Sequence, residues 1–257
     1  MTQRQDHGRG LQVVGGALVL GCLAGSIRAE TCLEQPTPTV VELFTSQGCS
    51  SCPSADAVVV SLARKRDVLP LAYHVDYWND LGWRDPFSST ENTQRQMAYA
   101  SALGSGQIGT PQFVVNGAKD GLGANADLDL SAAGARHARV PVRLSVRPGQ
   151  VEVVIAPVAP VAAYDVWAVY YRASARTLVS AGENGGRWLE EANVVMGRAR
   201  LGSWPTVPAR GSIVLKDFPA QATHVAVLVQ RTGTGPIIGA ASCPLEPAAV
   251  GNPLQMP

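Results

Sequence analysis

Apolar positions in this chain fall into short blocks, and the spacing within the blocks changes along its length. Residues 39–44 form a compact run with several β-branched side chains, which predicts a buried strand. Between residues 53 and 66 the period becomes helical, with Ala55, Val58, Val59, Leu62 and Ala63 on one stripe. Arg64, Lys65 and Arg66 follow, where cations complement the helix dipole. Residues 71–77 alternate as a second strand, and Ser89 or Thr90 is placed to cap a helix running to Leu103. A third strand is expected over 112–115, with Asn116-Gly117 as a hairpin turn into a return strand starting at 118–121. A short helix is expected within 127–138. Beyond residue 139 the helical stripes disappear. Seven strands are expected there, over 141–146, 151–155, 164–171, 193–201, 212–216, 224–230 and 237–242, punctuated by Pro and Gly.

The amino-terminal segment has a different character. Arg4 and Arg9 precede an apolar run over 11–23, shorter and richer in Gly than a span of about 20 apolar residues requires. Ile27-Arg28-Ala29 offers a cleavage site, so residues 1–29 read as a secretory signal peptide. A periplasmic or secreted protein with no membrane span after processing is expected. Val19-Leu20-Gly21-Cys22 has the outline of a lipoprotein box, but Leu20 is bulky for it. Lipid attachment at Cys22 is the alternative to an ordinary leader cysteine.

At 257 residues the chain is long for one domain. The element order divides it at 36–138 and 139–245, with a tail over 246–257. The first part follows the β-α-β-α-β-β-α order of the thioredoxin core. The expected fold is thus an α/β thioredoxin-like domain followed by a mainly antiparallel β-sandwich domain. Lys and Arg total 21 against 20 Asp and Glu, and no basic stripe gathers, so a nucleic-acid partner has no electrostatic footprint.

Export alters the meaning of the cysteines. Loss of the leader removes Cys22 and leaves Cys32, Cys49, Cys52 and Cys243 in an oxidising compartment. Cys49 and Cys52 are the obvious partners. Cys32 and Cys243 are left either to form a structural disulfide or to stay as free buried thiols. A Cys-x-x-Cys that opens a helix places its first sulfur near unpaired N–H groups and the positive dipole end, which favours the thiolate. Cys49 is the expected nucleophile and Cys52 the resolving thiol. Pro53 suits the first helical turn, where an N–H is dispensable.

Thr110-Pro111 directly precedes the third strand, the place where thioredoxin-like proteins carry a cis-proline facing the cysteines. Thr110 is pushed toward extended geometry by the proline, leaving backbone groups to pair with an extended peptide. The run from Val41 to Asp56, with Cys49-Ser50-Ser51-Cys52-Pro53 at its centre, resembles a bacterial family of secreted, thioredoxin-like proteins classed as a domain of unknown function. His74-Val75-Asp76-Tyr77-Trp78, Gly109-Thr110-Pro111-Gln112 and Gly182-Glu183-Asn184-Gly185-Gly186-Arg187 carry the same resemblance. It implies fold and export and supplies no substrate.

The departures from thioredoxin bear on the chemistry. Thioredoxin has a buried aspartate six positions before its first cysteine, and Leu43 stands there. Glu42 is adjacent. Alternation points it to the other face, and only a bulged strand makes it a proton acceptor. Trp78 and Trp83 either line a substrate groove or pack over the active-site face. Glu183 and Arg187 are candidates to reach the surface between the two halves. The leading expectation is a thiol–disulfide oxidoreductase acting on protein or small-molecule thiols and disulfides, without a cofactor. The competing one is a copper carrier using Cys49 and Cys52 with His74 as a third ligand; a hydrogen-bonded buried histidine is the plainer reading of His74.

Overall fold

Strand β2 (Thr39–Thr45) is buried at all of its positions, which explains its continuous apolar run. It pairs in parallel with β3 (Val68–His74) and antiparallel with β4 (Gln112–Val115), and helices α1 (Cys52–Leu62) and α2 (Thr90–Leu103) cover its two faces. The computed structural model describes residues 30–32, 37–123, 140–156, 163–204 and 213–245. The expected leader with Cys22, the helix expected within 127–138 and the tail over 246–257 lie outside the described residues.

The first half follows the sequence pattern closely, with two shifted boundaries. α1 stops at Leu62, so Arg64, Lys65 and Arg66 sit in the turn beyond it and Ala63 is exposed. β3 begins at Val68 and ends at His74, three residues ahead of the expected 71–77. Pro70 lies inside it and has no N–H to give, but its carbonyl is used by the Asn193 side chain at 2.8 Å. Ser89 caps α2 by accepting from the Asn92 N–H, and Gly104 ends that helix with φ +73°. β4 turns through Asn116-Gly117 into β5 (Lys119–Leu122).

All seven strands expected beyond residue 139 are present: β6 (Val142–Arg147), β7 (Gln150–Ile155), β8 (Tyr164–Leu178), β9 (Trp188–Trp204), β10 (Ile213–Leu215), β11 (His224–Arg231) and β12 (Ile237–Pro244). Their assembly differs from a self-contained sandwich. β8, β9, β11 and β12 continue the sheet of the first half, giving one eight-stranded mixed sheet in the order β12-β11-β8-β9-β3-β2-β4-β5. The join is the parallel pairing of β9 with β3 at Ala72 and Val194. β3 otherwise has a bare edge, and β9 covers it. The remaining strands β6, β7 and β10, with β1 (Glu30–Thr31), form a separate four-stranded sheet. The protein is thus mostly β, with two helices among the described residues.

Three apolar clusters hold these layers. Leu144, Val151 and Val153 of the small sheet pack on Val166, Ala168, Val225 and Val227 of the large one. Val41, Leu43, Ala55, Val59 and Phe113 bind α1 to its face of the sheet, while Phe44, Leu71, Tyr73, Tyr99 and Leu228 form the core under α2. Strand alternation puts α1 and the small sheet on one face of the large sheet, with α2 on the other.

Candidate functional site

At the end of β2 the chain turns through residues 46–51 and enters α1 at Cys52. Backbone bonds from Cys49 N–H to the Ser46 carbonyl and from Cys52 N–H to the Cys49 carbonyl, each 3.2 Å, shape this loop. Cys49 and Cys52 are joined in a disulfide with their Cα atoms 5.4 Å apart. They are 1% and 0% exposed, whereas Ser50 and Ser51 between them face solvent. The Thr110–Pro111 peptide is cis, and the Thr110 carbonyl oxygen lies 3.7 Å from the Cys49 Sγ. Trp78 donates from its indole nitrogen to the Thr110 hydroxyl at 2.8 Å, tying the aromatic loop to the same spot. Cys49, Cys52, Thr110, Pro111 and Trp78 therefore converge.

Under the disulfide the interior is polar. His74, at the end of β3, meets Asp85 through Nδ1 at 2.7 Å and turns Nε2 toward Glu191 of β9 at 3.8 Å. Gln47 bridges the group: its backbone N–H donates to Asp85 at 2.8 Å and its side-chain nitrogen donates to both Glu191 oxygens at 3.0 Å. Trp83 donates to the Gln47 side-chain oxygen at 3.1 Å, so Trp83 packs on this network. Asp56 lies one helical turn beyond Cys52, is 5% exposed, and accepts from the Thr45 hydroxyl at 2.8 Å.

The electrostatics follow from three carboxyl groups sharing one imidazole. Burial raises the Asp56 carboxyl to about 7, partly opposed by His74 and reinforced by Glu191. Burial alone would lower His74, but the charges of Asp85 and Glu191 outweigh it and hold the ring at about 9. Glu191 is raised by burial against the pull of His74. Asp85 is held below the usual range, because the His74 charge and its hydrogen bonds overcome burial. A carboxyl raised toward neutrality by burial thus lies one helical turn beyond Cys52. His74, the candidate third metal ligand, has its ring directed at two carboxylates.

The second half of the chain reaches this loop directly. Between β8 and β9, Asn184 is fully buried and donates to the carbonyls of Gln47 and Cys49, both at 2.9 Å. Glu183, beside it and exposed, accepts from the Ser50 N–H at 2.9 Å, and Arg187 holds the Asn184 oxygen at 2.8 Å. Gly82 and Gly182, with φ of +101° and +71°, let the aromatic loop and the β8–β9 loop touch backbone to backbone. A Cβ on Gly82 would stand 3.3 Å from the Gly182 Cα.

Three predicted residues lie elsewhere. Glu42 points to the α2 face, as alternation requires in an unbulged strand, where Arg95 meets it at 2.7 Å and Tyr99 donates to it. It is an ion-pair partner there and does not face the cysteines. Cys32 and Cys243 are joined to each other, Cα to Cα 5.8 Å, at the edge of the core between the two sheets. Sequence reasoning assigned no role to Asp56, Asp85, Glu191, Gln47 and Asn184, although Gln47, Asp56 and Asn184 lie in the segments that carry the family resemblance. Asp56 also carried a local signal, a charged residue on the apolar face of a helix.

Fold and site together define a mostly β protein whose mixed sheet presents a Cys-x-x-Cys disulfide at the start of a helix. Residues 40–230 match the family model described as a protein of unknown function, DUF1223, and the chain belongs to that family. Among solved structures it is similar to a crystal structure of an Agrobacterium tumefaciens protein from a structural genomics programme. The two are 32% identical, with 87% of this chain and 99% of that chain covered and a TM-score of 0.67. It is also similar to HBP35 of Porphyromonas gingivalis, at 18% identity over 86% of this chain and 80% of that one, with a TM-score of 0.61, a likeness of fold alone. No curated protein matches.

Proposed function

We propose that this chain is an exported thiol–disulfide oxidoreductase with a thioredoxin-like site, acting on protein or small-molecule thiols and disulfides. The observation that carries the reading is the convergence of the Cys49–Cys52 disulfide, the start of α1 and the cis Thr110–Pro111 peptide. In the reduced protein, the Cys49 thiolate attacks a partner disulfide, forms a mixed disulfide and expels one partner thiolate. Cys52 gives up its proton and attacks the Cys49 sulfur, closing the Cys49–Cys52 bond and expelling the second thiolate. Two electrons pass to the partner; the reverse sequence oxidises a partner dithiol. Asp56, buried one turn past Cys52 with a carboxyl near neutrality, accepts the Cys52 proton. Cys49 is almost covered in the disulfide form, so a partner must displace side chains packed on it and small thiols react soonest.

The test is twofold. The purified protein should show a reversible two-electron couple in a glutathione buffer, and Cys52→Ser should accumulate mixed disulfides through Cys49. A pair that thiols cannot reduce, with nothing trapped by Cys52→Ser, would refute the reading.

A further inference from the structure

A Cys49 thiolate would form in the loop just before α1, and the backbone beside it already holds an anion. The Ser50 N–H, the first backbone donor after Cys49, is bound at 2.9 Å by a carboxylate from 133 residues away in sequence. That carboxylate is not loosely placed. Its neighbour Asn184 is buried and fastened to the carbonyls of Gln47 and Cys49, and Gly182 lies against the Trp83 Cβ. Ser50 holds Glu183 below the ordinary carboxylate range through its hydroxyl and its N–H, so the group is an anion at any pH where a thiolate forms.

We propose that Glu183 is a built-in opponent of the Cys49 thiolate, an anion held on the backbone next to it that biases the pair toward donating electrons. This rests on the redox reading above and adds a direction to it. In the reduced state two negative charges, Glu183 on the Ser50 N–H and the Cys49 thiolate, lie at neighbouring residues, whereas in the disulfide state only Glu183 is charged. Oxidation of the pair relieves the repulsion. Its two electrons go to the disulfide partner, whose thiolates then take up protons, and a dithiol reductant restores the pair. The other titratable groups packed around the loop are Asp56 on α1, His74 on β3, Asp85 before α2, Glu191 on β9 and Arg187 beside Asn184. They are common to wild type and variant, so the comparison isolates Glu183.

The experiment equilibrates the purified protein and its Glu183→Gln variant against a thiol–disulfide buffer, at a pH above and a pH below the Cys49 titration. Gln keeps an oxygen for the Ser50 N–H and loses only the charge. The expected result is a shift toward the reduced form of about three- to fivefold at the higher pH, which corresponds to about 15–20 mV. The shift should disappear at the lower pH, where the thiol is neutral, and shrink in 1 M salt, where screening acts over about 3 Å. Glu183→Ala should match Glu183→Gln. A shift that persists at low pH, or one seen in Ala but not in Gln, would assign the effect to the contact and overturn the proposal. An unchanged potential in Glu183→Gln would overturn it while leaving the redox reading intact. A wild-type protein without a reversible couple would instead remove the redox reading itself.

Discussion

Two buried polar networks lie on opposite faces of one sheet, and they are balanced differently. On the α2 face, Glu42 meets Arg95, with Tyr99 and Gln230 completing the hydrogen bonds and the guanidinium stacked 4.9 Å from the Tyr99 ring centre. One anion faces a paired cation, and a second cation, Arg198, lies within electrostatic reach of both Glu42 and Arg95. On the α1 face Asp56, Asp85 and Glu191 gather around a single imidazole, helped by the neutral donors of Thr45 and Gln47. Burying three carboxyl groups with one cation forces protons onto the set. The network rich in cations holds its carboxylate in an ion pair, and the one rich in carboxyl groups raises Asp56, one helical turn past Cys52.

The comparison breaks most sharply at Arg95. Arg95→Leu strands a buried carboxylate, so urea unfolding should report a loss of about 3–5 kcal/mol. The potential of Cys49–Cys52 should stay put; a potential that moved would mean that the faces are coupled. Asp56→Asn should act in the opposite direction. Its carboxyl is raised on folding, so ionisation opposes the folded state above the raised value. The variant should gain on the order of 2–4 kcal/mol at about pH 8 and nothing below about pH 4. The same variant should slow mixed-disulfide resolution near neutral pH, in stopped-flow measurements of thiol release.

His74 sharpens the contrast through pH. Its ring is held above its free-chain value, so its contribution is complete below about 6.5 and is lost as pH rises through about 9. Wild-type stability should fall by on the order of 2–3 kcal/mol across that window, and His74→Gln should flatten the profile. The smallest effect is expected at Arg176, whose ion pair with Glu190 is exposed on both sides. Arg176→Ala should change stability by less than about 0.5 kcal/mol, which marks the baseline for charges outside the core.

Much of this was readable from local pattern. β2, the start of α1, the Ser89 cap and the Asn116-Gly117 turn each follow from residues adjacent in sequence. The Cys49–Cys52 pair and Thr110-Pro111 were legible for the same reason. β3 starts earlier than alternation suggested and includes Pro70, which has no N–H to give and whose carbonyl is taken up by Asn193, distant in sequence. The strands of the two halves join through the parallel pairing at Ala72 and Val194, and no local signal announces a pairing at that separation. The roles of Glu191 and Asn184 were invisible for a related cause, although Asn184 stands in the Gly182–Arg187 motif. Each is an ordinary polar residue until β9 and the loop before it lie against the dithiol. Glu42 was correctly placed by alternation, which left it on the wrong face for proton transfer.

The Cys32–Cys243 bond has a mechanical consequence. Cys32 follows β1, whose backbone bonds continue to Leu144 of the small sheet, and Cys243 lies in β12 at the far edge of the large one. A sequence separation of 211 residues is thus short-circuited by one covalent link. Tension applied to the chain outside these two cysteines would run through the sulfur atoms and bypass the body between them. The dithiol loop, strung inside that closed circuit, would feel no load until the link itself was cut.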